Sequence, residues 1–362
     1  MSETMLAAVF KGNGILELEQ RPVPTPIQPD DIVLRVGAVG ICGSDLHILD
    51  VPPTHPAKPG VIFGHEFCGE VVAVGEDVRS LIVGDTVAVD QNPPCGRCDT
   101  CRTGDPNFCE ALYDNPECPV PGWPRTPGQW WDGGMAEYVR VPAHYAYRVD
   151  PNIPAEQIVL AEPLGCVLNG LRKSGVHAGE TAVVIGGGPI GLLAVAALKN
   201  QGAGQVIVIE PAANRAQVSK EVGADLVINP RETDAAQAVR EATNGRGPTL
   251  ILEAVGSQLD LSVQMAANQA RIVVLGLNSA VSTGFPAVDV TTKELQILGA
   301  FLMRYTMQEA LDLIQSQVLP LEPIISHVLP LHDVLEGIDL ARSGRGLKVI
   351  FKPQLAKGNP HE

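Results

Sequence analysis

The stretch Thr181-Ala-Val-Val-Ile185-Gly186-Gly187-Gly188-Pro189-Ile190-Gly191-Leu-Leu-Ala-Val-Ala-Ala-Leu-Lys-Asn200 sets the reading of the whole chain. Thr181 to Ile185 reads as a short buried strand and Pro189 to Asn200 as an apolar helix. The glycines between them satisfy G-x-G-x-x-G. In that strand–turn–helix setting Gly186 allows a tight turn, Gly188 lets a pyrophosphate approach the backbone, and Gly191 permits close helix–strand packing. Pro189 and Ile190 open the helix, whose free N–H groups and positive end suit phosphates. The stretch from Ala182 to Leu198 carries no charge over 17 residues, but its glycines and Pro189 would break a membrane-spanning helix in the middle.

Outward from this stretch the pattern repeats. Gln205 to Ile209 reads as the next strand, followed by a helix near Asn214 to Val222. Strands at Leu226–Ile228, Leu250–Leu252 and Arg271–Leu275 follow. Apolar strands alternating with helices predict a parallel sheet covered on both faces. Glu210 ends the second strand, where a carboxylate grips the adenosine ribose hydroxyls and repels a 2′-phosphate, which favours NAD over NADP. Arg215 pulls the other way, since a guanidinium can pair with that phosphate. Residues 1–160 differ in texture, with short alternating strands such as Ile32–Val36 and Gly69–Val74 set among prolines. The stretch from Asn115 to Gly134 reads as loop, with five prolines and all three tryptophans.

The chain has 362 residues, which suits two or more domains. Lys and Arg total 26 against 41 Asp and Glu, a net charge of −15. Such a surface repels phosphate backbones and argues against nucleic acid as a partner. Four of the eight cysteines crowd into Cys95-x2-Cys98-x2-Cys101-x7-Cys109. Four thiolates so spaced can close a tetrahedron around Zn²⁺ with no open position, which makes the ion structural. An iron–sulfur cluster is the alternative. Clustered cysteines in a long chain without a visible signal peptide predict a reducing compartment, and we read the protein as cytoplasmic and soluble, with no membrane partner.

Gly40-Ile-Cys42-Gly-Ser44-Asp45-Leu-His47 and Gly64-His65-Glu66 gather further metal-ligand and proton-carrying side chains. Together with the glycine motif and the cysteine lobe they complete a pattern over nearly the whole chain. It resembles the zinc-dependent medium-chain dehydrogenases, most closely the polyol branch with sorbitol (L-iditol) and threonine dehydrogenases. The resemblance implies a GroES-like β-rich catalytic domain from residues 1–160 and 301–362, with the structural zinc lobe at about 90–112. A Rossmann doubly wound parallel sheet would occupy 161–300.

It also implies two zinc ions per chain. The catalytic one would be held by Cys42, His65 and Glu66, with Glu162 binding directly or through water. Asp45 would orient His65 from behind. Ser44 and then His47 would carry the proton away. The implied reaction is reversible oxidation of a secondary alcohol of a polyol, sugar alcohol or cyclitol by NAD⁺ in a homo-oligomer. Threonine-type amino-alcohol oxidation is the main rival, and a zinc-free or non-catalytic relative is a further one. Trp130 and Trp131 are candidates for the pocket wall, because aromatic faces pack against the C–H faces of sugars and cyclitols. Cys68, Cys118 and Cys166 are read as packing, and His55, His144, His177, His327, His332 and His361 are given no role.

Overall fold

The computed structural model describes residues 3–118 and 123–356. Pro121 and Gly122 of the tryptophan-bearing loop, and His361, lie outside the described residues. The chain divides into two compact units: Met1–Glu162, Met307–Gln315 and Ile325–Glu362 form one, and Pro163–Thr306 with Ser316–Ile324 form the other. The boundaries therefore differ from the expected 160 and 301. Residues 301–306 and 316–324 group with the nucleotide-type unit, and only the helix Met307–Gln315 and the last stretch group with the β-rich one.

The second unit is built on a six-stranded parallel sheet. Its order is Leu226–Ile228, Gln205–Ile209, Thr181–Ile185, Leu250–Glu253, Arg271–Val274, Gln296–Gly299. The chain steps outward from Thr181–Ile185, then returns to its other side at Leu250. That reversal places a ligand crevice at the carboxyl ends of these two strands. Val183, Ile185, Ile207, Ile209, Ile251 and Ile272 fill one face of the sheet against Ala236, Val239 and Val263. The stretch without charge is a strand, a turn and the helix Pro189–Asn200, and among the described residues no helix is long and apolar enough to cross a membrane. The sixth strand was not foreseen. Gln296, Ile297 and Gly299 are exposed at the sheet's edge, so the segment lacks the continuous buried run that marks the others.

The first unit carries a two-stranded ribbon and a seven-stranded sheet. Its central strand, Asp31–Gly40, pairs antiparallel with Glu66–Val74, Tyr138–Pro142 and Lys348–Lys352. Ile32, Leu34, Val36, Phe67, Val71 and Phe351 are all buried in the core it organises. Gly40 faces Glu66 on one neighbouring strand and Ile350 on the other. The segments just beyond these strand ends, Ile41-Cys42 and Gly64-His65, are thereby brought together from distant parts of the sequence.

Candidate functional site

Cys42 caps the short helix Gly43–Ile48, and its N–H donates to Asp45 Oδ2 at 2.9 Å. The other oxygen, Asp45 Oδ1, faces His65 Nδ1 at 3.4 Å, with both side chains almost fully buried. This is a charge contact rather than a hydrogen bond, since Asp45 Oδ1 and His65 Nδ1 are both buried without a hydrogen-bond partner. One ligand atom each from Cys42, His65 and Glu66 falls within 4.8 Å of the others. Burial works against a charge on His65, but Asp45 and Cys42 outweigh it and hold the imidazole well above its ordinary value. Thiolate, imidazole and carboxylate, one of each, are a donor set suited to catalytic Zn²⁺, with a position left for substrate.

Glu162 lies outside this three-residue group. Gln91 donates its side-chain amide to Glu162 Oε1, so the carboxylate already has a protein partner. On the same unit Lys348 donates to Glu66 Oε2. Neither Gln91 nor Lys348 was foreseen. The available signal for Lys348 was a charge inside the apolar run Leu347-Lys348-Val349-Ile350-Phe351. Ser44 and His47 lie three residues apart on the helix Gly43–Ile48, on one face. His47 is half exposed, and its Nδ1 lies 3.5 Å from Asp50 Oδ2.

His55, left without a role, stands near this centre. It is buried, its Nε2 lies 3.3 Å from Gln129 Oε1, and its ring meets Trp123 edge-on at 4.2 Å. Burial pushes its pKa down to about 4, the Gln129 contact opposes this, and the charges of His65, Asp45 and His47 reach it. Trp130 and Trp131 are placed elsewhere. They line a cleft of about 520 Å³ with Arg21, Lys58, Tyr138 and Arg140, and none of the metal-cluster residues takes part in it. Trp131 also packs edge-on against Tyr145 at 5.3 Å. Trp123 is thus the tryptophan that packs on His55, while Trp130 and Trp131 line a cleft with Met5, Arg21 and Pro22 of the N-terminal strands.

The four sulfurs of Cys95, Cys98, Cys101 and Cys109 also lie within 4.8 Å of one another. Cys98 Sγ is 3.4 Å from Cys101 Sγ and 3.9 Å from Cys109 Sγ. These separations are too long for disulfides and bracket the roughly 3.8 Å edge of a tetrahedron with Zn–S bonds of about 2.3 Å. The Thr100 hydroxyl, then the Cys101 N–H, bring the Cys98 thiol down to about 6, while burial pushes the Cys101 thiol up to about 12. Cys68 stands apart from this lobe, buried and donating to the Ala155 carbonyl at 3.3 Å as a packing residue does.

In the other unit, Gly186 has φ +98°, and a Cβ on Gly191 would fall 1.8 Å from the Gly186 carbonyl oxygen. The turn therefore demands glycine at both places. A Cβ on Gly188 would meet nothing within 4 Å, so this backbone faces open space at the start of the helix Pro189–Asn200. Glu210 is buried, and its two oxygens accept the Gly187 N–H at 2.6 Å and the Ala212 N–H at 2.7 Å. Each oxygen keeps acceptor capacity for a sugar hydroxyl. Arg215 Nε is buried without a hydrogen-bond partner.

Residues 28–151 match the alcohol dehydrogenase GroES-like domain, and residues 189–316 match the zinc-binding dehydrogenase domain. Sorbitol dehydrogenase of Bos taurus is 32% identical over 98% of both chains. The chain belongs to the zinc-binding medium-chain dehydrogenase family. L-threonine 3-dehydrogenase of Pyrococcus horikoshii is 36% identical over 97% of this chain and 99% of its own. A zinc-binding dehydrogenase of Sinorhizobium meliloti, solved with NADP, superposes with a TM-score of 0.89 at 31% identity, over 97% of this chain and all of the other. As a member of this family the protein is an oxidoreductase acting on CH–OH donors, with zinc and a nicotinamide dinucleotide as its cofactors.

Proposed function

We propose that the protein oxidises a secondary alcohol of a polyol, sugar alcohol or cyclitol to the ketone with NAD⁺. Its catalytic zinc would be held by Cys42, His65 and Glu66, and its structural zinc by the four-cysteine lobe. The observation that carries this reading is the three-ligand cluster, whose one thiolate, one imidazole and one carboxylate leave room for a substrate oxygen. When bound, the zinc acidifies the substrate hydroxyl and the nicotinamide accepts the hydride from its carbon. The chain's own residues handle the rest. Asp45 keeps the His65 ring in place. Ser44 would accept the hydroxyl proton at Oγ as it gives up its own, which would pass by way of the cofactor's ribose hydroxyl to His47, half exposed, and on to water. Glu210 supports NAD over NADP through its carboxylate at the end of the second strand.

Initial rates of NAD⁺ reduction across tetritols, pentitols, hexitols, inositols, 2,3-butanediol and L-threonine test the substrate class. Turnover of polyols supports the proposal. Turnover of threonine alone moves the reading to amino-alcohol oxidation, which the similarity to L-threonine 3-dehydrogenase favours. We further propose a cytoplasmic homo-oligomer that binds neither nucleic acid nor membrane. The net charge of −15 and the exposed edge strand Gln296–Gly299 support this reading. Light scattering that gives a mass of 38.3 kDa, one chain, would contradict the oligomer.

A further inference from the structure

Lys348 is 1% exposed, an unusual place for a lysine. Its Nζ donates to Glu66 Oε2 and, at 3.1 Å, to the Ile41 carbonyl. The Ile41 N–H in turn donates to the Val349 carbonyl at 3.0 Å, so the strand bearing Lys348 is tied to the segment bearing Cys42. Gly40 makes room for the pair: a Cβ there would stand 2.6 Å from Glu66 Oε2 and 2.7 Å from Lys348 Cε.

Glu66, the carboxylate that Lys348 engages, is also one of the three proposed metal ligands. We infer that Lys348 is a positioning residue that competes with the metal for the Glu66 carboxylate and so sets the affinity and coordination of the ion. This inference rests on the metal centre proposed above. Lys348 engages Glu66 Oε2, so a metal must draw on a carboxylate that already has a partner. Without the ammonium, the buried Glu66 carboxylate loses that partner, and a bound cation takes its place. Binding therefore tightens when Lys348 is lost, whereas a merely structural lysine would leave metal affinity unchanged or weaken it.

The test uses the full chain, first stripped of metal and then titrated with Zn²⁺ in competition with a chromophoric chelator. The catalytic equivalent is identified as the one that Cys42→Ala lacks. Lys348→Met and Lys348→Gln are expected to hold that equivalent about tenfold more tightly, the scale on which outer groups tune metal sites. With Co²⁺ in its place the visible absorption bands are expected to shift, and Lys348→Arg should return both readouts toward wild type. Lys348→Gln keeps a donor for the Ile41 carbonyl and decides the matter if the methionine variant fails to fold. Unchanged or weaker binding, or unshifted Co²⁺ bands, would overturn the inference. If Cys42→Ala loses no metal, it is the metal centre itself that fails, a distinguishable result.

Discussion

Asp45 binds the start of one helix and faces one imidazole with a single carboxylate: Oδ2 accepts the Cys42 N–H at 2.9 Å, and Oδ1 lies 3.4 Å from His65 Nδ1. Two proposed metal ligands thus share one buried support. Asp45→Asn keeps the shape and removes the charge. Zinc affinity at the catalytic centre and kcat/KM should each fall by about 10- to 100-fold. Equal affinity in the variant and the wild type, measured by chelator competition, would remove Asp45 from this role.

Cys98→Ser should abolish zinc binding at the four-cysteine lobe while leaving Cys42, His65 and Glu66 intact. One zinc equivalent per chain should be lost, with a fall in Tm of roughly 5 °C or more, corresponding to a few kcal/mol. Metal analysis and calorimetry check this together. A full zinc complement in the variant would mean the lobe does not bind as proposed.

Glu210→Gln keeps an acceptor for only one of the Gly187 and Ala212 N–H groups and removes the negative charge. The KM for NAD⁺ should rise about tenfold, as for the loss of one charged hydrogen bond, and the preference over NADP⁺ should narrow. An unchanged ratio of kcat/KM for the two cofactors would show that Glu210 does not discriminate between them.

His55 gives the fold a pH dependence of definite sign. Its folded-state pKa, about 4, lies below that of an exposed histidine, because burial disfavours the charged ring. The unfolded chain therefore binds the proton first. The contribution to stability is complete above pH 6.5 and is lost as pH falls from there toward 4, to a total of about 3 kcal/mol. His55→Gln should flatten the urea-midpoint profile between pH 7 and 4.5. A profile parallel to wild type would contradict the assignment.

The elements that could be read ahead of the structure are those whose requirements are local. Gly186 and Gly191 answer to a turn six residues long, and the lobe's cysteines to a loop of fifteen, so spacing alone carries both. The helix Pro189–Asn200 and the strand Gln205–Ile209 announce themselves by apolar periodicity. Lys348 and Gln91 left no such trace. Each acts on a carboxylate far away in sequence, 282 residues for Glu66 and 71 for Glu162, and only strand pairing brings them together. His55 matches no motif, so nothing in the sequence marks it as buried, and nothing local tells that Trp123 packs on it while Trp130 and Trp131 line a separate cleft.

The most direct test of the central claim is NAD⁺ reduction on a polyol by the wild type and by Cys42→Ala, each before and after treatment with a zinc chelator and after zinc is restored. The account predicts wild-type turnover that the chelator abolishes and zinc restores, with two zinc ions per chain, and a Cys42→Ala protein that is folded, carries one zinc and is inactive. Polyol turnover that survives both the chelator and the Cys42→Ala substitution would contradict it.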